Sequence, residues 1–372
     1  MRFTQVLVGA APGDAVTRCA LEIDRMVAPV ADTAIRARYI DPAVSAVIVP
    51  LDAPEHGPPA SDDDVVVLHV SIGEPDVSRW LGDRPERLAV VYHNISPAAS
   101  FEDHDPAFAD LLRLGRAELP TLAGRSELTL ADSEFNATEL RHVGFADVRV
   151  CPLVFDPGAL DSAGPSTTTV RHLREVTTGP VILFVGQLLP HKRVDWLLQA
   201  YFILVTYLLP EAHLIMVGPA PLPGYHRVLQ DFANELNLDR AWIAGRVSDA
   251  DLAAFYRRAD VVATASEHEG FCAPLLEAMA FGAPLVARRF AAIPETLGDA
   301  GVLVEADDPP AVFAEALFEL TSEPGCRLGR TLADRGRQRL QTIGPGPARA
   351  ILRRNLAELV PGLEGTPGKV ES

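Results

Sequence analysis

Cysteine is scarce in this chain, and its few copies are scattered. No two of the four cysteines form a C-x-x-C pair, and none has a histidine at metal-ligand spacing. This pattern argues against a disulfide-stapled scaffold and against a zinc centre, and it favours reduced, mostly buried thiols in a cytoplasmic protein. The four residues are Cys19, Cys151, Cys272 and Cys326.

Basic residues are also fewer than acidic residues in this chain. The formal net charge of −17 argues against a nucleic-acid partner, whose phosphates require a basic surface, and it weakens any electrostatic docking to a membrane. Lysine is nearly absent, because Lys192 and Lys369 are the only two copies among 33 basic residues. Arginine is the default cation of this sequence, so a lysine in the folded body needs its own explanation.

The chain has no hydrophobic run of the length that a membrane span requires. Tyr201–Leu209 is strongly apolar, but Pro210 and Glu211 interrupt it, and a buried helix followed by a turn explains it better. The first residues, Met1–Gly9, are too few and too strand-like for a signal peptide. We therefore expect a cytoplasmic protein that is at most peripheral at the inner face of a membrane.

What the sequence does contain is an alternation of strands and helices. An apolar content of 48% with only 6% aromatic residues is typical of an aliphatic-rich α/β protein, and 372 residues exceed a usual single domain. The predicted strands are Phe3–Val8, Ala46–Val49, Val65–Val70, Leu88–Tyr92, Leu128–Ala131 and Val148–Cys151, then Val181–Val185, Leu214–Val217, Ala241–Ala244, Val261–Ala265, Leu285–Ala287 and Gly301–Val304. Helical patterns separate them, so we predict an α/β fold of two doubly wound Rossmann-like domains that face a cleft.

A shift in composition marks the boundary between the two domains. Glycine, proline, serine and threonine accumulate between Pro157 and Pro180, which is typical of a linker. The predicted divisions are an N-terminal domain at 1–160, a linker at 161–179, a C-terminal domain at 180–345, a helix at 346–360 that packs back toward the N-terminal domain, and a flexible tail at 361–372.

The most informative stretch is Glu269–Glu277, which joins a predicted strand to a predicted helix over Pro274–Phe281. Free backbone amides and the positive end of the helix dipole meet at such a junction and favour phosphate. We place Glu277 in the first helical turn, where it is suited to accept hydrogen bonds from ribose hydroxyls, and Glu269 in the loop, where it can meet a sugar. Simple compensation of the helix dipole is the alternative explanation for Glu277.

A basic pair follows the strand Val181–Val185. Lys192 and Arg193 end the loop that begins at Gly186, and cations are unfavourable at a helix start unless an anion compensates them. We therefore expect both side chains to stabilise a diphosphate leaving group. A solvated basic pair is the alternative.

Two acidic motifs have structural explanations instead. Asp249-Ala250-Asp251 has the spacing of a manganese-binding D-x-D, but it follows Ser248 at a helix start, where capping explains both carboxylates. Asp62-Asp63-Asp64 precedes a strand and is interpreted as a solvated edge. We expect neither a metal nor another cofactor to be needed, so a chelator should leave activity intact.

These motifs together resemble the GT-B glycosyltransferases of glycosyltransferase family 4, retaining enzymes that use nucleotide-diphosphate sugars. The matching segments of the second half are Phe184–Gly186, Pro190–Arg193, Ala244–Ser248, Glu267–Met279, Pro284–Ala287 and Pro294–Gly298. In the first half, Gly13–Ala15, Leu68–Gly73, Val91–Pro97 and Ala131–Asn136 resemble bacterial mannosyltransferases of surface polysaccharide assembly.

The resemblance implies a role for individual residues. It makes the N-terminal domain the acceptor side and the C-terminal domain the nucleotide-sugar side. The implied catalytic residues are His93, which faces the transferring sugar, together with Glu269 and Lys192. The implied donor-binding residues are Gly13, Gly186, Arg193, Arg246, Val247, Gly270, Phe271 and Glu277.

Two positions depart from the family pattern. Gln187 stands where members usually have arginine after the glycine of the first phosphate loop, and Arg193 or Arg246 is the candidate replacement. Cys272 stands where glycine is frequent; we interpret it as a small buried residue and not as a nucleophile, because no partner base lies beside it in the sequence.

The implied reaction is front-face transfer of a hexose to a glycan or lipid-linked hydroxyl. GDP-mannose is the first candidate donor, and a UDP-hexose is the alternative. A GT-B nucleotide-sugar epimerase and a catalytically silent nucleotide-sugar-binding protein are the other hypotheses. The sequence leaves the acceptor, the linkage and the oligomeric state open.

Overall fold

The computed structural model describes residues 1–55, 59–82, 84–154, 156–158, 160, 164–322 and 327–364. Cys326, Lys369 and most of the predicted tail lie outside these residues. The chain divides into two compact units. Unit 1 comprises Met1–Ala98, Ala107–Phe155 and Gly344–Ser372, and unit 2 comprises Ala99–Pro106 and Asp156–Ile343.

Each unit contains one parallel sheet. The strands are β1 (Arg2–Ala10), β2 (Asp32–Ile40), β3 (Val49–Pro50), β4 (Val65–Val70), β5 (Arg87–Tyr92), β6 (Ser126–Ala131), β7 (Val148–Val150), β8 (Val181–Val185), β9 (His213–Val217), β10 (Ala241–Gly245), β11 (Val261–Thr264), β12 (Leu285–Arg288) and β13 (Val302–Val304). Unit 1 has the order β3-β2-β1-β4-β5-β6-β7, and unit 2 has the order β10-β9-β8-β11-β12-β13.

Helices connect successive strands. They are α1 (Ala15–Val27), α2 (Pro75–Leu81), α3 (Pro106–Ala123), α4 (Glu134–His142), α5 (Thr167–Val176), α6 (Val194–Ile203), α7 (Pro223–Glu235), α8 (Asp249–Arg258), α9 (Ala273–Phe281), α10 (Ile293–Leu297), α11 (Pro310–Thr321), α12 (Arg327–Ile343) and α13 (Pro345–Leu356). The alternation confirms the predicted pair of doubly wound domains.

The central strands are apolar on both faces, because helices cover both sides of each sheet. Every residue of β4 and of β9 is buried. In unit 2, Phe184 of β8 belongs to one hydrophobic cluster with residues of α6 and α11, and Leu183 of β8 belongs to a second cluster with residues of α9. In unit 2 the core therefore leaves polar chemistry to the strand ends, whereas β1 and β4 of unit 1 also bury the polar residues Gln5 and His69.

The strand order creates one switch point in each sheet. β1 pairs with both β2 and β4, and β8 pairs with both β9 and β11, all in parallel. The connections on the two sides of such a central strand diverge, which opens a crevice at the carboxyl ends of the strands. In unit 2, the loops after β8 and β11 border that crevice.

Strand β2 is an element that the sequence pattern did not reveal. No strand was predicted over Asp32–Ile40, yet Ile35 and Ala37 are buried and the backbone of this segment pairs with β1. The buried guanidinium of Arg36 donates to the carbonyl oxygens of Leu51 at 3.2 Å and Ala53 at 2.8 Å. These hydrogen bonds give the Arg36 guanidinium acceptors inside the fold.

The predicted linker and the C-terminal helix are both structured where they are described. Helix α5 begins after Ser166, whose hydroxyl accepts a hydrogen bond from the amide of Thr169. Helix α13 belongs to unit 1, where Arg349 pairs with Glu22 at 2.9 Å. Among the described residues, no helix is both long and apolar enough to cross a membrane.

Asp64 corrects the interpretation of Asp62–Asp64 as a solvated edge. Its carboxylate is buried and accepts hydrogen bonds from the backbone amide of Arg2 at 2.7 Å and from its guanidinium at 2.9 Å. The amide of Ser61 donates to it as well, at 3.2 Å. Burial alone would raise the pKa of Asp64, but these bonds outweigh it and lower the pKa to about 2. The pair joins the first residues of β1 to β4.

This shift predicts an acid-dependent loss of stability. Because the folded-state pKa lies below the unfolded value of about 3.9, the contribution is complete above about pH 4 and is lost as the pH falls through about 2. Asp64→Asn should lower the free energy of unfolding at neutral pH and flatten its decline in acid, as measured by urea titration. The exposed Asp63→Asn is the matched control. Equal behaviour of the two variants would contradict this assignment.

Candidate functional site

The loop after β8 turns sharply before it enters α6. Gly186 has φ of 154°, a conformation that side chains rarely adopt, and its carbonyl oxygen lies so close to Gly218 that an added Cβ there would meet it at 2.0 Å. A short 3-10 turn, Pro190–Lys192, follows, and Arg193 then takes the left-handed conformation with φ of 49°. Lys192 is thus the last residue of a short turn between β8 and α6.

Lys192 meets Glu269 at the switch point of unit 2. Its Nζ lies 2.7 Å from Glu269 Oε1, and the two side chains are 19% and 10% exposed. The loops come together because β8 and β11 are neighbours and both chains leave at their carboxyl ends. The structure thus places the two predicted catalytic residues of unit 2 in direct contact, one cationic and one anionic.

Behind this pair lies a second charged cluster that sequence reasoning missed as part of the site. Glu267 accepts from the guanidinium groups of Arg193 and Arg288, the latter at 3.1 Å. Arg193 also pairs with Asp195 at 3.1 Å. Arg288 is buried, and its guanidinium stacks 4.3 Å from the ring centroid of Trp196. The position of Arg288 at the carboxyl end of β12 was the sequence signal that could have identified it as part of the site.

Arg193 is therefore committed to carboxylates in this structure. These contacts hold the loop in its bend, and the predicted contact of Arg193 with a diphosphate stays a prediction. His191 beside it is buried, and the ring of Phe101 packs 5.6 Å from it. Burial, followed by the charge of Lys192, lowers the pKa of His191 well below its usual range, which keeps that ring neutral.

The loop after β11 is held from below by α10. The carbonyl oxygen of Glu269 accepts from the amide of Ala292 at 3.2 Å, and that of Phe271 accepts from the hydroxyl of Thr296 at 2.6 Å. Gly270 lies between these anchored residues. Hydrogen bonds therefore anchor the loop on both sides of the glycine that was predicted to approach a ligand.

Helix α9 begins one residue earlier than predicted. Ala273 is its first residue, Pro274 the second, and Glu277 the fifth, so Glu277 lies beyond the first turn. No side chain caps the start of α9. Simple dipole compensation therefore does not explain Glu277, whereas the uncapped helix start suits an anion.

Glu277 is buried and tied to the neighbouring helix α8. Its Oε2 accepts a hydrogen bond from the hydroxyl of Tyr256 at 2.7 Å, and the Tyr256 ring stacks on Phe281 with a centroid distance of 5.1 Å. This contact fixes the orientation of the carboxylate. The helix ends at Gly282, whose φ of 69° gives the predicted left-handed stop.

The loop after β10 holds the remaining predicted residues of unit 2. Gly245 has φ of 73°, and Arg246 is exposed while Val247 is half-buried. Ser248 caps α8 by accepting from the amide of Asp251 at 3.1 Å, and its own hydroxyl donates to that carboxylate at 2.6 Å. The capping explanation is thus confirmed for Asp251, and Asp249 lies in the first turn of the same helix.

Unit 1 holds the other two predicted residues at the carboxyl ends of its own strands. Gly13, with φ of 77°, lies in the loop after β1, and an added Cβ there would meet open space. His93 follows β5; its Nδ1 lies 2.8 Å from Asp132 Oδ2 and its Nε2 lies 2.9 Å from His69 Nδ1. Both ring nitrogens therefore have protein partners, and the side chain is 3% exposed.

Cys272 occupies a backbone conformation that glycine adopts more readily. It has φ of 70° and ψ of 66°, in the left-handed region, immediately before α9. Burial raises the pKa of its thiol well above the usual value, and Glu269 reinforces that effect. The interpretation of Cys272 as a buried thiol agrees with this environment, because a protonated thiol is a poor nucleophile.

The backbone at Cys272 yields a stability prediction. Since the left-handed conformation costs a residue with a Cβ about 1–2 kcal/mol, Cys272→Gly should be more stable than Cys272→Ala by about 1 kcal/mol in urea titrations. Comparing these two variants keeps the loss of the thiol nearly constant. At the exposed, helical Ala280 the exchange to glycine should destabilise instead. Equal stability of Cys272→Ala and Cys272→Gly would contradict the assignment of backbone strain to this position.

Comparison with known proteins shows which proteins this chain is similar to. Residues 179–323 match the family model described as Glycosyl transferases group 1. The chain is 29% identical over 252 residues to O-antigen chain mannosyltransferase B of Escherichia coli, covering 66% of this chain and 64% of that protein. It is 33% identical over 214 residues to D-inositol 3-phosphate glycosyltransferase of Xylanimonas cellulosilytica, covering 54% of this chain and 50% of the relative.

Solved structures show the same fold at low sequence identity. Sucrose-phosphate synthase from Thermosynechococcus elongatus superposes with a TM-score of 0.73 at 19% identity, covering 96% of this chain and 98% of that chain. Anabaena HepE in complex with UDP and glucose gives 0.72 at 17% identity, covering 96% and 99%. Residues 179–323 therefore match the model of the group 1 glycosyltransferase family, and the chain has the two-domain GT-B fold and resembles bacterial mannosyltransferases.

Proposed function

We propose that the protein is a retaining glycosyltransferase that moves a hexose from a nucleotide-diphosphate sugar to a hydroxyl of a glycan or glycolipid. The observation that carries this proposal is the 2.7 Å contact between Lys192 and Glu269 at the switch point of unit 2. A nucleotide-diphosphate sugar has an anionic diphosphate directly joined to a polyhydroxylated ring. An adjacent cation and carboxylate match those two adjacent parts.

In this proposal the two parts of the donor contact the two charged residues separately: the diphosphate contacts Lys192, and the sugar contacts Glu269. Lys192 has three N–H donors, so it can bind phosphate oxygens and still contact Glu269. Glu269 accepts hydrogen bonds from sugar hydroxyls, which a carboxylate does well when it is already oriented by a cation. The amides at the uncapped start of α9 add positive potential for the diphosphate.

Glu277 is assigned to the ribose. Its Oε2 is oriented by Tyr256, and its position at the fifth residue of α9 sets it back from the helix start, where the diphosphate would bind. That separation matters because a carboxylate next to the diphosphate would repel it. Ribose hydroxyls, being neutral donors, suit the site better.

The proposed chemistry is front-face transfer. The acceptor oxygen forms a bond to the anomeric carbon on the face from which the diphosphate leaves, the bond between that carbon and the phosphate oxygen breaks, and the departing phosphate takes the acceptor proton. Lys192 stabilises the charge that develops on the leaving group. Glu269 is not assigned as a nucleophile, because its ion pair with Lys192 commits it to binding.

Mannose from GDP-mannose is the first candidate for the transferred group, supported by the similarity to O-antigen chain mannosyltransferase B. A UDP-hexose is the second, supported by the fold similarity to a HepE structure that contains UDP-glucose. We propose that the reaction needs no metal ion, since Lys192 provides a cation at the diphosphate and the D-x-D carboxylates act at the start of α8. A nucleotide-sugar epimerase and a catalytically silent nucleotide-sugar-binding protein are the alternatives; a donor that stabilises the protein without any turnover would favour the silent binder.

A panel of nucleotides and nucleotide sugars tests this function. Binding to the folded state raises apparent thermal stability by mass action, so GDP-mannose should raise the melting temperature more than UDP-glucose or ADP-glucose does. Incubation with the stabilising donor and an acceptor extract should then give a glycosylated product with the anomeric configuration of the donor. Stabilisation by no nucleotide sugar would contradict the proposal, and conversion of free donor to its epimer would favour the epimerase.

The variant Glu277→Ala tests the proposed ribose contact in the same thermal-shift experiment. Loss of a buried partner for the ribose should weaken donor binding by about 1–3 kcal/mol, which appears as a smaller thermal shift at equal donor concentration. Glu235→Ala makes the same chemical change at the exposed end of α7 and serves as the control. Donor kinetics of Glu277→Ala equal to those of the control would remove Glu277 from the site.

A further inference from the structure

A cavity of about 410 Å³ lies in unit 1, between the sheet and the helices α2 and α3. Small-molecule sites usually measure about 300–1,000 Å³, whereas one water molecule takes only about 30 Å³ in the liquid. The cavity is therefore large enough for a ligand and is not a packing defect. Its apolar lining residues include Val8, Leu68, Val70, Val77, Leu81 and Leu122.

The carboxylates in the lining already have partners inside the protein. Glu74 caps α2, where it accepts hydrogen bonds from the amides of Asp76 at 2.7 Å and Val77 at 2.9 Å. Glu118 accepts a hydrogen bond from the hydroxyl of Ser78. A cationic ligand would have to compete with these bonds for either carboxylate.

The nitrogen-bearing side chains of the lining are engaged in the same way. Arg125 donates to the backbone carbonyl oxygens of Gly82 and Arg84, the latter at 3.4 Å. Both ring nitrogens of His69 lie within hydrogen-bond distance of other side chains. An anionic ligand would have to displace these partners, whereas an aliphatic chain needs no polar partner at all. The chemistry of the lining therefore favours an aliphatic ligand.

Contacts between α3 and the residues around α2 keep the cavity open. The amide of Gly73 donates to the carbonyl oxygen of Leu111 at 3.1 Å, and a Cβ added at Gly73 would lie 2.3 Å from the backbone nitrogen of Gly115. The bonds of Glu118 and Arg125 tie the same helix further along. Because these contacts must break before α3 can move into the gap, we expect the cavity to persist without a ligand.

One end of the cavity lies at the carboxyl edge of the sheet, beside His93. Val70 is the last residue of β4, and its carbonyl oxygen accepts a hydrogen bond from the amide of His93 at 2.9 Å. Doubly wound folds bind their ligands at this edge. A ligand in the cavity therefore reaches the neighbourhood of the candidate catalytic residue of unit 1.

We propose that this cavity binds the aliphatic chain of the acceptor, so that the hydroxyl that receives the hexose belongs to a lipid. Each buried methylene group contributes about fourfold in affinity, which favours an acceptor with a chain over the same acceptor without one. Among the lining residues that the structure describes there is no phenylalanine, tyrosine or tryptophan, so a planar ring gains no stacking there. The acceptor role rests on the proposed function, whereas the binding of a chain does not.

Titration calorimetry with octanol tests the cavity without any sugar chemistry. Octanol has the chain but no glycan, and butanol is the shorter control. Octanol should bind at one site and at least about tenfold more tightly than butanol, because more methylene groups are buried. Absence of saturable octanol binding would overturn the proposal, and tighter binding of benzyl alcohol than of octanol would overturn the assignment to an aliphatic chain.

Two variants locate the bound alcohol. Val77→Phe fills the cavity from α2, and Thr121→Trp adds a large side chain at an exposed lining position of α3. Both should weaken octanol binding by at least about tenfold, since the chain loses buried contacts. Thr331→Trp makes the same exchange at an exposed position of α12 and should bind octanol like the wild type.

Urea titration shows which of these variants are folded. Thr121 is exposed, so Thr121→Trp keeps the test valid even if Val77→Phe does not fold. Wild-type octanol affinity in every folded blocking variant would place the alcohol elsewhere and overturn the proposal.

A pair of acceptors that differ only in the aglycone tests the acceptor role. With the octyl and methyl glycosides of one hexose, KM should be at least about tenfold lower for the octyl glycoside, while kcat stays similar. Thr121→Trp should remove this difference, and Thr331→Trp should retain it.

The outcomes separate this proposal from the proposed function. Equal KM values for the two glycosides in a wild type that binds octanol would show that the chain is not part of the acceptor, and would overturn the proposal. Octanol binding without turnover of either glycoside would count against the proposed function and would leave the cavity assigned to a chain.

Discussion

The ion pair between Lys192 and Glu269 is the constraint on which the candidate site depends. It forms because two neighbouring parallel strands, β8 and β11, release their chains at the same edge of the sheet, on either side of a switch point. A lysine and a glutamate far apart in sequence thereby form one ion pair, which in the proposed function recognises the two adjacent parts of the donor. The pairing also holds both side chains in place before a ligand arrives, which reduces the conformational entropy that binding must remove.

The surrounding structure holds this pair in place at some local cost. Arg193 adopts a left-handed conformation and binds Asp195 and Glu267, so that the preceding residue is turned toward the crevice. Cys272 is likewise left-handed, at the point where the loop from β11 enters α9. Unfavourable backbone geometry of this kind persists where neighbouring contacts determine it, and it is concentrated at functional sites.

Much of this could be predicted from sequence because it follows from periodicity. Apolar runs located β8 and β11, and glycine, proline and serine located the ends of α8 and α9. Strand β2 was not predicted, because its buried Arg36 donates to carbonyl groups that only the fold brings near. Three further features were not predicted for the same reason. They are the burial of Asp64, the ion pairs of Arg193 with carboxylates, and the hydrogen bonds that link His93 to His69 and Asp132. Local pattern shows where a strand ends, but not which side chains meet there.

The most direct test of the account is a double-mutant cycle on Lys192 and Glu269, read out as the affinity for GDP-mannose by titration calorimetry. Lys192→Met and Glu269→Gln should each weaken donor binding by about 1–3 kcal/mol, because each leaves a buried partner without its counter-charge. The double variant should lose less than the sum, with a coupling of about 0.5–3 kcal/mol that marks a single recognition unit. Donor affinity within about twofold of the wild type in all three variants would contradict the assignment of this pair to the donor site.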